Sequence, residues 1–211
     1  MSDPFKTVRN VVVQLLIVIA MATVVLQTHM LDFIFHPGED KNLRVTLAPD
    51  TPMNRRFDLI DQRGRWVADS DYNDKPWVVF FGYTHCPDVC PVTLSRLGAL
   101  WGQLPDPGAL HMLFITVDPA RDTPEVMQQY MKAFDPRFVA LSGPQDKIDA
   151  VVKNFNVFVE KKPQPGTDGY GVNHTAAVFL IRENGTLAGT ISPEETDDIA
   201  LGKLKRLAEK K

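Results

Sequence analysis

The chain has 211 residues, 44% of them hydrophobic, which is enough for one good-sized core and an apolar anchor but gives no sign of a second large domain. A formal charge of -3, a pI near 5.9 and the absence of a basic run leave no electrostatic footprint for nucleic acid. With only two cysteines, Cys86 and Cys90, no disulfide framework can support the fold, and the pair reads as chemical.

Residues 11–31 are apolar apart from Gln14, Thr23, Gln27, Thr28 and His29. At about 1.5 Å of rise per residue, roughly 20 residues cross a hydrocarbon core about 30 Å thick, so a single N-terminal transmembrane helix is expected here. Lys6 and Arg9 precede it and Asp32, Glu39 and Asp40 follow, which favours an inside N-terminus. The expected protein is single-pass in a bacterial inner membrane: residues 1–10 in the cytoplasm, 11–31 an uncleaved signal anchor, 32–50 a linker, and 51–211 a periplasmic domain. A cleaved signal peptide is the alternative, although the small-x-small run Ala20-Met21-Ala22 lies inside the apolar stretch.

The linker has room for a short strand at 43–47. Residues 57–61, a turn at 62–65 and a return at 66–68 then form a hairpin signal. A buried strand follows at 77–81, a helix at 92–101 and a core strand at 111–117, an order that predicts a parallel crossover. Thr123 or Asp122, with Pro124, opens a helix to about residue 134, on which Met127 and Met131 read as core packing. Pro144 opens another helix to 154, and 156–160 reads as a short strand. Residues 161–173 are rich in Pro and Gly and predict a surface loop. A core strand at 175–181, a turn at 183–185 and a strand at 186–191 come next. Ser192 and Glu195 have capping-box spacing at the start of a C-terminal helix that ends in basic residues. The order of elements fits an α/β sandwich of thioredoxin type with a central mixed sheet.

Both cysteines lie where the strand at 77–81 turns into a helix. A helix N-terminus offers free N–H groups and a partial positive charge, which favour a thiolate. Separation by four positions lets the two sulfurs converge on one face of a helical turn. Thioredoxin-like redox motifs use two intervening residues rather than three, and structural zinc needs four ligands, so neither fits. Two thiolates and an imidazole suit a soft ion at low coordination number, copper(I) above all. The bland reading is a local disulfide stapling the turn, which closes too short a loop to stabilise much.

Five histidines compete for the third position. His29 and His36 precede the domain, His111 begins a core strand, and His85 adjoins Cys86 but points in a different direction. His174 closes the Pro- and Gly-rich loop where a central strand begins; by position it is either a ligand or a satisfied loop histidine. Asp118 and Asp122 read as a turn residue and a helix cap, with support of a metal site as the alternative. Phe81 and Tyr83 read as core.

The segments Gly82-Tyr83-Thr84-His85-Cys86-Pro87-Asp88-Val89-Cys90-Pro91, Val117-Asp118-Pro119-Ala120-Arg121-Asp122-Thr123-Pro124-Glu125, Ala140-Leu141-Ser142-Gly143 and Asn173-His174-Thr175-Ala176-Ala177 closely resemble the Sco/SenC family of cytochrome c oxidase assembly proteins. The resemblance implies a membrane anchor, a thioredoxin-like domain, and copper held by Cys86, Cys90 and His174. It further implies metallochaperone or thiol-reductase work on the binuclear copper site of the oxidase, with a copper-accepting oxidase subunit and an upstream copper donor as partners. Asn173 departs from the pattern, since many relatives carry aspartate before the histidine, and a carboxylate is lost there. As an oxidoreductase, the chain would attack with Cys86 and resolve with Cys90. Peroxide reduction on a related fold is a third reading, for which the motif supplies no peroxide-activating group.

Overall fold

In a computed structural model of the protein the described residues are 21, 23, 49–163 and 169–209. Apart from Met21 and Thr23, both helical, the expected anchor at 11–31 and the strand at 43–47 lie outside them. No helix among the described residues is long and apolar enough to cross a membrane.

From residue 58 onward the described residues form nine strands, four α-helices and one 3-10 turn at Asp69–Tyr72. The strands and α-helices are β1 (Asp58–Asp61), β2 (Trp66–Ala68), β3 (Trp77–Gly82), α1 (Val89–Trp101), β4 (His111–Thr116), α2 (Pro124–Met131), β5 (Val139–Ser142), α3 (Gln145–Asn154), β6 (Val159–Pro163), β7 (Tyr170–His174), β8 (Val178–Ile181), β9 (Leu187–Ile191) and α4 (Asp197–Ala208). Seven strands form one mixed sheet in the order β2-β1-β5-β4-β3-β8-β9, and β6 and β7 form a separate two-stranded ribbon.

The centre of the sheet follows from side-chain content. Every residue of Trp77–Gly82 is buried, as are all of Val178–Ile181 and all but the first of His111–Thr116. Strands apolar on both faces must be covered on both faces, which places them in the middle of a layered α/β fold. Pairing of β3 with β4 and of β4 with β5 is parallel, through α1 and α2 as crossovers, whereas β8 joins β3 antiparallel. On α1 the buried residues Cys90, Leu94, Leu97 and Trp101 recur at helical spacing, so Cys90 occupies the first position of the helix's core-facing stripe.

The hairpin at β1 and β2 stands as expected, with Asp58 opposite Ala68, and its turn uses Gly64 at φ 76°. Met127 and Met131 are buried core residues. The expected surface loop at 161–173 is instead largely ribbon: Val159 to Pro163 pair antiparallel with His174 to Tyr170. Pro and Gly are tolerated because this ribbon is all edge, where a missing N–H costs no interior ladder bond. The helix expected to start at Ser192 begins later, with Thr196 as its cap position. Ser192 and Glu195 still bond reciprocally, but the Glu195 carbonyl takes the Arg96 guanidinium of α1 and is not free to open the helix. Helix α2 ends at Met131, one turn earlier than expected.

Candidate metal centre

The two cysteines are placed by different means. Cys90 is the second residue of α1 and is fully buried; Cys86 precedes the helix by three residues and is half-buried. A shared helical face therefore does not bring the sulfurs together, as the spacing had suggested. A turn does so: the Cys86 N–H donates to the Tyr83 carbonyl (3.3 Å), and the loop folds back until Cys86 Sγ accepts the Cys90 N–H (3.4 Å). Asp88, at the cap position, makes no side-chain cap bond, so Cys86 sulfur satisfies one of the helix's free N–H groups.

Asp122 holds this loop from below. Fully buried, its carboxylate accepts Thr84 N–H (3.0 Å), Thr84 Oγ1 (2.6 Å) and Thr116 Oγ1 (2.6 Å). Asp122 is not the cap of α2; Thr123 is, accepting the Val126 N–H. Gly82 provides the clearance, because a Cβ there would stand 2.7 Å from Phe114 Cε2 and 2.8 Å from Cys90 Sγ.

His174 arrives from the ribbon. It is buried, its Nε2 lies 3.4 Å from Cys90 Sγ, and its Nδ1 is 3.0 Å from the Thr175 carbonyl. A carbonyl can only accept, so Nδ1 carries a proton toward it, and Nε2 is the ring nitrogen turned toward the sulfurs. Phe80 and Tyr83 meet the imidazole edge-on at 6.2 and 5.9 Å and fix its plane. Asn173, the departure from the resemblance, is exposed on the opposite face of β7, and the histidine's acceptor is the Thr175 carbonyl.

The ligand atoms of Cys86, Cys90 and His174 all lie within 4.8 Å of one another. Donors around one ion at about 2.0–2.3 Å stand at most about 4.5 Å apart, so the triad is close to the closed geometry and its two sulfurs and nitrogen fit copper. His85 stays outside the triad, with Nδ1 3.1 Å from Thr84 Oγ1, and His111 bonds Asp74 (2.6 Å) at the start of β4. His29 and His36 lie outside the described residues.

The sulfurs divide one proton between them. The hydrogen bond with Cys90, opposed by partial burial and joined by His174 and the N–H groups of Cys90 and Asp88, holds Cys86 down at about 4. The same bond with Cys86, then burial and the Cys86 charge, pushes Cys90 well above the ordinary thiol range. Cys86 is the thiolate and Cys90 the thiol.

The SCO1/SenC family model matches residues 45–209. The chain belongs to the SCO1/SenC family. Relatives of this family member include the mitochondrial SCO2 homolog of Bos taurus, 37% identical over 132 residues covering 61% of this chain and 50% of the relative. The mitochondrial SCO1 homolog of Homo sapiens is 36% identical over 135 residues, 61% of this chain and 44% of the relative. This chain thus spans about half the length of the curated relatives it matches. Among solved structures, Bradyrhizobium japonicum ScoI with copper bound is similar at TM-score 0.68 and 35% identity, over 74% of this chain and 99% of that one. Yeast Sco1 with copper bound matches at TM-score 0.67 and 29% identity, over 74% and 88%.

Around the triad, sequence reasoning missed the Thr84–Asp122–Thr116 bonds and the clearance at Gly82. Both depend on which residues face each other across β3, β4 and the following loop, and no local pattern carries that.

Proposed function

We propose that this protein holds one copper ion between Cys86, Cys90 and His174 and delivers it to the copper-accepting subunit of cytochrome c oxidase, for the binuclear copper site. The observation that carries the reading is the convergence of the buried Cys90 and His174 side chains, 84 residues apart, on the Cys86 thiolate. The copper-bound state of the solved relatives and the family's place in oxidase assembly support it. Copper is cargo here. Cys86 is already ionised, and Cys90 gives up its proton on loading, so affinity falls with acid. Half-buried Cys86 is the ligand an acceptor reaches first, and exchange proceeds from it inward to Cys90 and His174.

The same proposal anchors the chain through residues 11–31 in a bacterial inner membrane, with the domain in the periplasm facing an upstream copper donor and the oxidase. Copper stoichiometry of the reduced full chain tests the ligands: one ion per chain is expected, lowered in each of Cys86→Ser, Cys90→Ser and His174→Ala. Unchanged tight binding in His174→Ala removes the histidine from the site.

The division of the sulfur proton favours a second reading, thiol-disulfide exchange. Cys86 thiolate attacks a disulfide in the acceptor; one acceptor sulfur leaves as thiolate and takes a proton, while a mixed disulfide holds the other. Cys90 then loses its proton and attacks Cys86 Sγ, releasing the second acceptor sulfur. The acceptor is reduced by two electrons and the Cys86–Cys90 pair oxidised. A Cys86–Cys90 potential too oxidising to reduce the acceptor's cysteines rules this out.

A further inference from the structure

Hairpin β6–β7 carries His174 yet shares no ladder with the seven-stranded sheet. A lone two-stranded ribbon is marginally stable in water, so its place against the domain depends on side chains that dock it. Side chains of Tyr170, Val172 and His174 alternate onto one face of β7, while Asn173 between them is exposed. Each of the three has a partner on the domain: Cys90 for His174, Tyr83 Oη accepting the Val172 N–H (3.3 Å), and at Tyr170 a larger cluster.

That cluster is built on Asp118, just past β4, whose carboxylate is fully buried. Tyr170 Oη donates to Asp118 Oδ1 (2.8 Å), Lys161 Nζ of β6 lies 3.1 Å from the same oxygen, and Arg121 Nε donates to Oδ2. Arg121 also donates through Nη1 to the Tyr170 carbonyl (3.0 Å), and its guanidinium stacks 3.9 Å from the Tyr170 ring centroid and 5.6 Å from that of Tyr83. Arg121 Nη2 makes no hydrogen bond among the described residues, so the rings hold that side of the guanidinium. One buried acid thus grips both strands of the ribbon, through Lys161 on β6 and Tyr170 on β7. A buried carboxylate needs such partners, and each cation and hydroxyl here comes from the ribbon or from the turn below it.

We infer that Asp118, Arg121, Lys161 and Tyr170 are positioning residues that clamp the ribbon to the domain, and that by doing so they keep His174 Nε2 within reach of the sulfurs. The inference rests on the assignment of Cys86, Cys90 and His174 as a metal site. Four residues of strand, about 14 Å, separate the Tyr170 grip from the histidine. Loosening the grip frees β7 to lift, which leaves copper on two thiolates and speeds its release.

Two measurements on the reduced full chain test this. In the metal-free protein, Arg121→Met is expected to raise amide hydrogen exchange at 170–174 about tenfold, with Tyr170→Phe smaller in effect and β3 and β4 unchanged. Tyr170→Phe keeps the ring and removes only the bond to Asp118, so it separates loss of the clamp from misfolding. In the copper-loaded protein, release to a chelator is expected to quicken about tenfold in Arg121→Met, with no further gain when Arg121→Met is added to His174→Ala. Unchanged exchange at 170–174 in both variants overturns the clamp. A quickening by Arg121→Met that persists undiminished without His174 overturns its action through the histidine. A loosened ribbon together with copper release insensitive to His174→Ala leaves the clamp standing and overturns the ligand assignment.

Discussion

The triad joins two regions held in opposite ways. Cys86 and Cys90 sit on a platform at the centre of the sheet, where β3 is paired on both sides and Asp122 and Gly82 fix the loop above it. His174 sits on a ribbon outside the sheet, docked by Tyr83, Arg121 and Asp118. Under the proposed copper delivery, two soft ligands lie on a fixed base and a third on a docked arm, an arrangement suited to holding an ion and then giving it up.

The comparison is sharpened first at the sulfurs. Cys86, held at about 4, is ionised throughout neutral pH, so alkylation of the reduced, metal-free protein is expected at Cys86 alone, with a rate that falls only as pH drops toward 4. Buried, protonated Cys90 should react orders of magnitude more slowly, and peptide mapping after a brief iodoacetamide pulse checks both. Equal labelling of the two cysteines at pH 7 contradicts the assigned division.

Gly82→Ala breaks the platform. The added methyl meets Phe114 and Cys90 Sγ at 2.7 and 2.8 Å, and overpacking of this kind costs about 1–3 kcal/mol. Denaturant titration should show that loss, and copper binding should fall because Cys90 Sγ must move. An unaffected midpoint means the neighbours yield freely.

Acid acts on the arm. Burial pushes Asp118 up, but the Tyr170 hydroxyl, Arg121 and Lys161 outweigh it and hold the carboxyl below its ordinary 3.8. A depressed carboxyl contributes stability above its unfolded-state pKa, which is lost as pH falls through the lower folded value. Exchange at 170–174 is therefore expected to rise below about pH 4, and less so in Tyr170→Phe. The smallest effect is expected at Asn173→Asp. The residue is exposed and supplies no acceptor to His174, so stability should change by less than about 0.5 kcal/mol and the copper stoichiometry not at all.

Much of this was legible in the chain itself. Residues 77–81 announce a buried strand because every side chain is apolar or aromatic, and Cys86 and Cys90 announce a chemical pair because they straddle the start of a helix, although only Cys86 is the thiolate. Resemblance to the Sco/SenC family then singled out His174, which position alone left open between a ligand and a loop residue. The ribbon was not legible: Pro163, Gly169 and Gly171 signal a loop, and the inward alternation of Tyr170, Val172 and His174 has meaning only against a surface to face. Asp118 and Asp122 misled for a related reason. Their local options, a turn and a cap, are visible in sequence, whereas the partners that claim their carboxylates, Thr84, Thr116, Lys161 and Tyr170, mostly come from distant segments. Sequence by itself determined the central strands and the placing of two cysteines at a helix start, because hydrophobic runs and helix termini act over a few residues. Only tertiary structure decided how His174 is held, because burial of the charged group that docks its ribbon is settled by whichever segments fold against it.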